Sequence, residues 1–274
     1  MIATTFYFSG TGNTKWAAEQ LHKTAENKGI LSRLYSIEQK STDLNGLMND
    51  TDVIGIAFPV YAMNIPEIMK QFLARLNQTL APSASPLPLF VLTTVGFADG
   101  CGPYEVVSRF SPRTVKLTGY AGLKICSNIT TPVAKADPLP PGELQKRLDT
   151  AKNKINALVD ALAAGKKKIE PGVYRIALFR KQMSTMPKKA YEQLSIDAQT
   201  CNNCMICANN CPSDAIKRND AGKLDILSGC TACMRCYNFC PTASVWHSGV
   251  YADPNEYIRY RGPLVGTSEG ALQG

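Results

Sequence analysis

The chain has 274 residues, 45% of them hydrophobic, which is longer than the commonest single domain and apolar enough for a packed core, so one domain plus a smaller module is expected. It is net basic by +8, with the excess concentrated at 166–198, where 8 Lys and Arg face 3 Asp and Glu, and no nucleic-acid motif accompanies that run. No apolar run reaches the ~18 residues of a membrane span and no basic leader precedes an apolar stretch, so the reading is a cytoplasmic protein with neither a membrane span nor a nucleic-acid partner.

The chain begins with TTFYF, a buried β-strand pattern, and breaks at once into Ser9-Gly10-Thr11-Gly12-Asn13-Thr14. Trp16, Ala17, Ala18, Leu21 and Ala25 then recur at helical spacing up to Gly29, a stop signal. The alternation continues with LSRLYSI (31–37), DVIGIAF (52–58), a helix near 66–77, PLFVLTTV (88–95), a weak helix from Tyr104 broken by Pro112, and GYAGLKICS (119–127). Leu144, Leu148, Ala151, Ile155, Leu158, Val159 and Leu162 stripe a last helix. Five continuous apolar strands alternating with helices predict a doubly wound five-stranded parallel sheet over residues 1–165, because strands covered on both faces lose their polar alternation. A basic linker at 166–198, a cysteine module at 199–249 and a tail at 250–274 complete the expected organisation.

Eight of the ten cysteines lie between Cys201 and Cys240. They form two runs of C-x₂-C-x₂-C-x₃-C-P: Cys201, Cys204, Cys207 and Cys211, then Cys230, Cys233, Cys236 and Cys240. Zinc is usually held by two separated pairs, whereas three thiolates at successive three-residue spacing wrap the corners of an iron–sulfur cube. In two-cluster ferredoxins the fourth cysteine of each run ligates the other cluster. Applied here, Cys201, Cys204, Cys207 and Cys240 hold one 4Fe-4S cluster, and Cys230, Cys233, Cys236 and Cys211 the other. Each run is followed by a short aliphatic element, DAIKR and ASVWH, as an internal duplication would produce. The region resembles the bacterial two-cluster ferredoxins in all eight ligands and both trailing prolines. Cys101 and Cys126 stand outside the motifs, and a free cysteine is more often a small buried hydrophobe than a reactive thiol.

The SGTGNT loop lacks the third glycine of GxGxxG and the lysine of a P-loop, while its hydroxyls and helix N-terminus suit a phosphate monoester. A plain helix-capping turn is the alternative. Ser9, Thr11, Gly12 and Thr14 resemble the flavodoxin phosphate signature, [TS]-x-[TS]-G-x-T. With the cysteine module, with FPVYAMNIP and with the late RYRGP, the chain resembles the fused flavodoxin and ferredoxin proteins of anaerobes. That resemblance implies a flavodoxin-like sheet with a small C-terminal bacterial-type ferredoxin domain, and FMN and two 4Fe-4S clusters as cofactors. It implies that Ser9, Thr11, Gly12, Asn13 and Thr14 hold the FMN phosphate. Tyr61, with Pro59, Val60 and Ala62, would flank the isoalloxazine on one side, and Gly96, Phe97, Ala98 and Asp99 on the other.

The function this implies is electron passage between the two clusters and the FMN, coupling one-electron with two-electron transfer between redox protein partners, a ferredoxin-like donor among them. The alternative is a flavin-dependent reductase of a small-molecule acceptor fed through the clusters. Whether the protein is an enzyme, and whether it is a homodimer, the sequence leaves open. The material that separates carrier from reductase is FADGCGPY, the insert SNITTPVAKADPLPP and the tail from Tyr251, any of which either roofs a pocket or leaves the flavin edge free.

Overall fold

The structure, a computed structural model, describes residues 1–61, 63–96, 102–134, 139–171 and 192–263. The N-terminal unit is built on strands β1 (Ile2–Tyr7), β2 (Leu31–Ser36), β3 (Val53–Pro59), β4 (Leu87–Val95), β5 (Val115–Lys124) and β6 (Lys168–Ile169). Each neighbouring pair is parallel, in the order β2-β1-β3-β4-β5-β6. The first five follow the flavodoxin-like order 2-1-3-4-5, whose reversal beside β1 leaves a crevice at the carboxyl ends of the strands.

The sheet has six strands where five were expected. The sixth is two residues long and lies at the end of the lysine run, where so short a piece offers no periodicity to read. It is held by β5 and by Glu170, whose carboxylate accepts from the Gly122 N–H at 3.2 Å and from Lys154 Nζ at 2.9 Å.

Helices α1 (Asn13–Asn27) and α5 (Pro141–Ala163) pack on one face of the sheet, and α2 (Leu44–Met48), α3 (Glu67–Thr79) and α4 (Gly102–Val107) on the other. The helical stripes read from the sequence are the buried ones: Trp16, Leu21 and Ala25 from α1 with Ile155, Leu158 and Leu162 from α5, against Phe90 and Leu92 of β4. Opposite them, Met69, Phe72, Leu73 and Leu76 of α3 meet Ile54, Ile56 and Phe58 of β3. Asp43 caps the short α2, its carboxylate accepting from the Gly46 N–H at 3.1 Å.

The cysteine-rich unit contains two antiparallel pairs, β7 (Leu194–Ile196) with β10 (Val245–His247) and β8 (Ile216–Arg218) with β9 (Leu224–Ile226), and two short helices, α6 (Ile206–Asn209) and α7 (Arg235–Phe239). Its duplication extends to the backbone. The left-handed residues Asn203, Met205 and Asp214 recur at constant spacing as Ala232, Met234 and Ala243. Its core among the described residues is Leu194, Met234, Tyr237, Val245 and Ala252, with Cys230, Cys236 and Cys240 packed against it. Among the described residues, no helix is long and apolar enough to cross a membrane.

Candidate cofactor sites

The left-handed turns before α6 and α7 bend each C-x₂-C-x₂-C run around a small cavity. Cys201, Cys204, Cys207 and Cys240 line one, and Cys211, Cys230, Cys233 and Cys236 line the other. The fourth cysteine of each run lines the other run's cavity, and Cys207 lines both. Backbone N–H groups approach the sulfurs at equivalent points of the repeat: Ala215 N to Cys211 Sγ at 3.2 Å and Ser244 N to Cys240 Sγ at 3.3 Å. Burial, with neighbouring thiols adding to it, pushes the Cys207 and Cys230 thiols up to about 11, and Cys236 is pushed well up for the same two reasons. Thiolates gathered this closely repel one another and need compensating cationic charge, which iron would supply.

A larger cavity of about 580 Å³ opens at the carboxyl ends of β1, β3, β4 and β5, within the usual range for a cofactor pocket. Ser9, Gly10, Thr11, Asn13 and Thr14 form one end, Pro59, Val60, Tyr61 and Met63 one side, and Thr94, Val95 and Gly96 the floor. Cys126, Ser127, Asn128 and Ile129, which follow β5, form the opposite side, and Thr231, Ala232, Met234 and His247 of the cysteine-rich unit close it. The Tyr61 and Thr231 hydroxyls in this wall are buried and have no hydrogen-bond partner among the described residues. Burial, with the Cys233 thiol beside it, pushes the Tyr61 phenol well up, so it stays a neutral donor. Neither oxygen is open to the cavity, that of Tyr61 being turned against Gly10 and Cys233, so what fits a flavin here is the apolar side formed by Pro59, Val60 and the Tyr61 ring beside the hydroxyl-rich loop of Ser9 and Thr11.

The loop residues expected at a phosphate divide into two groups. Ser9 Oγ accepts from the Gly12 N–H at 3.1 Å, and Thr11 is buried along the cavity. The side chains of Asn13 and Thr14 are committed to the protein: Asn13 donates to the Cys126 carbonyl at 2.9 Å and accepts from the Tyr260 hydroxyl, and Thr14 pairs with Thr94 at 2.7 Å. What α1 presents there is the unpaired backbone N–H groups of its first turn. Gly12, at φ 113°, faces away from the cavity, where a Cβ would stand 2.9 Å from the Arg261 carbonyl. Gly262 lies against Gly12 in turn, so RYRGP is a strap laid over the outer side of this loop. Ala62, Phe97, Ala98, Asp99 and Cys101 lie outside the described residues, as does 172–191 of the basic linker.

The two units are fastened together by α7 and the insert after β5. Asn128 Nδ2 donates to the Cys233 carbonyl at 3.0 Å, Tyr237 Oη to the Thr130 carbonyl at 2.6 Å, and Asn238 Nδ2 to the Asn128 carbonyl at 2.9 Å. Asn238 also receives the tail: its Oδ1 accepts from the Tyr260 N–H at 2.8 Å and its carbonyl from Arg261 Nε at 3.1 Å. The Arg259 guanidinium lies 3.6 Å over the Tyr237 ring, and burial lowers its pKa to about 10.

A family model for the 4Fe-4S dicluster domain matches residues 193–254. The chain joins a flavodoxin-like fold to a 4Fe-4S dicluster domain. Electron transfer is the chemistry that a 4Fe-4S dicluster domain supports. Among solved structures the chain is similar to a flavodoxin from the domain Archaea, with 16% identity, a TM-score of 0.42 and coverage of 59% of this chain and 99% of that one. It is similar to the Megasphaera elsdenii flavodoxin, with 17% identity, a TM-score of 0.41 and coverage of 59% and 100%. Flavodoxin 2 from Bacillus cereus gives 14% identity, a TM-score of 0.43 and coverage of 60% and 99%. No curated protein matches the chain.

Ser127, Asn128 and Ile129 open the insert SNITTPVAKADPLPP, which the sequence offers as one possible roof, and they lie beyond the carboxyl end of a parallel strand, where ligands are expected. Thr231, Met234 and His247 carried no such signal, because their facing depends on how the dicluster domain docks.

Proposed function

We propose that the protein couples one-electron with two-electron transfer between redox protein partners, using an FMN in the large cavity and a 4Fe-4S cluster in each thiol cavity. The observation that carries this reading is a succession of shared walls. Cys207 lines both thiol cavities, and Leu194, Thr231 and Met234 line both the second thiol cavity and the large one. Bound there, the clusters would exchange single electrons and the flavin one or two. We take 1–165 as the flavin-binding domain, 166–198 as linker, 199–249 as the cluster domain and 250–274 as tail.

The chain's own residues give the sites unequal access. Cys204 is exposed, which offers the first thiol set to a ferredoxin-like donor, whereas Cys233 is buried against the flavodoxin-like unit, where Gly10 and Tyr61 meet it. Gly10 is required there: a Cβ would stand 2.8 Å from the Cys233 carbonyl. The backbone N–H groups of 11 and 13–15 and the α1 dipole bind an anion, and Tyr61 and Val60 present an apolar wall to a ring. Met234 and Ala232 exclude water between cavity and cluster site.

A second reading, reduction of a small-molecule acceptor, is favoured by one feature. The large cavity reaches past the flavodoxin-like loops to His247 and Gln193, which hydrogen-bond each other at 3.1 Å. Anaerobic purification with visible absorbance and iron and sulfide analysis tests the cofactors. Eight iron atoms and one FMN per chain are expected, and Thr11→Val lowers FMN retention; FMN kept in full by that variant removes the phosphate site from this loop. Reoxidation of the reduced protein faster by small molecules than by partner proteins selects the second reading.

A further inference from the structure

Arg235 lies between Cys233 and Cys236 in the second cysteine run, and it is a buried cation with every donor used. Its Nε donates to the Gly10 carbonyl at 3.0 Å and its Nη2 to the Ser9 carbonyl at 2.6 Å. Nη1 and Nη2 donate to the two carboxylate oxygens of Glu38 at 2.7 and 2.8 Å, and Nη1 also reaches the Asn210 carbonyl at 2.9 Å. Five N–H groups meet five acceptors, the full capacity of a guanidinium. Asn210 immediately precedes Cys211, so one side chain is bonded next to Cys211 and sits between Cys233 and Cys236, three of the four thiols assigned to the second cluster.

The two carbonyls it holds belong to the loop at the end of β1. In a planar trans peptide the C=O and the following N–H point in opposite directions. Turning the Ser9 and Gly10 carbonyls onto Arg235 therefore turns the Gly10 and Thr11 N–H groups the other way, toward the side of the loop on which Ser9, Gly10 and Thr11 line the large cavity. Without the guanidinium, those carbonyls would be buried beside Glu38 with nothing to satisfy them, and the loop would gain by rotating one of them toward the anion site.

We propose that Arg235 is a positioning residue that couples the second thiol site to anion binding by the loop 9–14, so that a flavin phosphate is held at full strength only when Cys211, Cys230, Cys233 and Cys236 are ligated. Ligation fixes the backbone on both sides of Arg235, the guanidinium fixes the peptide planes at 9–11, and these planes present the donors. The inference rests on the reading of 9–14 as the phosphate site. It adds an order of assembly, cluster before flavin, and a reason why a cluster motif should carry an arginine in contact with another domain.

The test is a double-variant cycle on the full chain, reading the dissociation constants of FMN and of riboflavin from quenching of free-flavin fluorescence. Lysine carries the charge without the five-donor fork, and Cys230 is the one thiol of its set not adjacent to Arg235 or its partners. Arg235→Lys and Cys230→Ala should each weaken FMN binding about tenfold, and the double variant no more than either alone, because both act through the same peptide planes. Riboflavin, which has no phosphate, should keep its affinity throughout. Additive losses, undiminished FMN binding, or equal losses for both flavins would overturn the coupling. If Arg235→Lys does not fold, Glu38→Gln takes its place, lying outside the cysteine runs: full iron with weakened FMN binding supports the proposal, and full iron with unchanged FMN binding refutes it. Thr11→Val separates the two levels. If it leaves FMN affinity intact, the phosphate-site reading has failed; if it alone weakens FMN, only the coupling has.

Discussion

The flavodoxin-like unit and the dicluster domain differ in what holds them. The first has two apolar cores, one on each face of its sheet, with fully buried Leu73, Ile54 and Phe58 in one and Ile155, Leu158 and Leu92 in the other. The second buries Leu194, Met234, Tyr237, Val245 and Ala252 and otherwise surrounds its two thiol cavities. So small a core does not offset the conformational entropy of ordering some sixty residues, and metal–thiolate bonds supply what packing does not. The cores are nevertheless not separate. Cys233 of the dicluster domain belongs to one sheet-face core, and Tyr260 of the tail to the other. A unit that leans on metal for its own fold thus contributes side chains to a neighbour that does not.

Iron removal should separate the two by the largest margin. After anaerobic chelation, amide hydrogen exchange should lose protection through α6, α7 and β7–β10 while β1, β3 and β4 stay protected. Protection surviving in α7 would mean that docking alone maintains the domain and would collapse the contrast.

Leu73→Ala acts on the other side. The side chain is fully buried, so its loss should cost about 2–5 kcal/mol in denaturant unfolding of the flavodoxin-like unit. Iron content should stay unchanged at low denaturant. A simultaneous loss of iron would show that the two units unfold as one.

The smallest effect is at the contact between them. His247 bonds Thr131 at 2.8 Å, and burial lowers its pKa from the ordinary 6.5. As pH falls through 6.5 toward the lowered value, the unfolded chain takes up a proton that the folded chain refuses, so stability declines on acidification and is fully present above 6.5. His247→Gln should flatten the part of the unfolding midpoint that changes between pH 7.5 and 5.5; an unchanged slope would remove His247 as its source.

The legible parts of this protein are those encoded in local spacing. Continuous apolar runs such as DVIGIAF marked β3 because a parallel strand is covered on both faces, and the stripe from Leu148 to Leu162 marked α5 because one helical face is buried. The cysteine spacing ordered the thiols into two sets, since three residues per ligand is a property of the chain itself. The two-residue β6 was not legible, because it exists only through pairing with β5. The wall that Thr231, Met234 and His247 give the large cavity was not legible either.

By itself, then, the sequence determined a parallel α/β sheet, a glycine- and hydroxyl-rich loop after its first strand and two cysteine runs of equal spacing, all consequences of periodicity and spacing within short windows. Tertiary structure alone decided that Asn13 and Thr14 turn their side chains into the protein, that Gly12 is backed by Gly262, and that Arg235 reaches the carbonyls of Ser9 and Gly10. These are contacts between residues more than two hundred positions apart or between separate elements of the fold. Their geometry follows from how two independently patterned surfaces dock, and no local pattern encodes that.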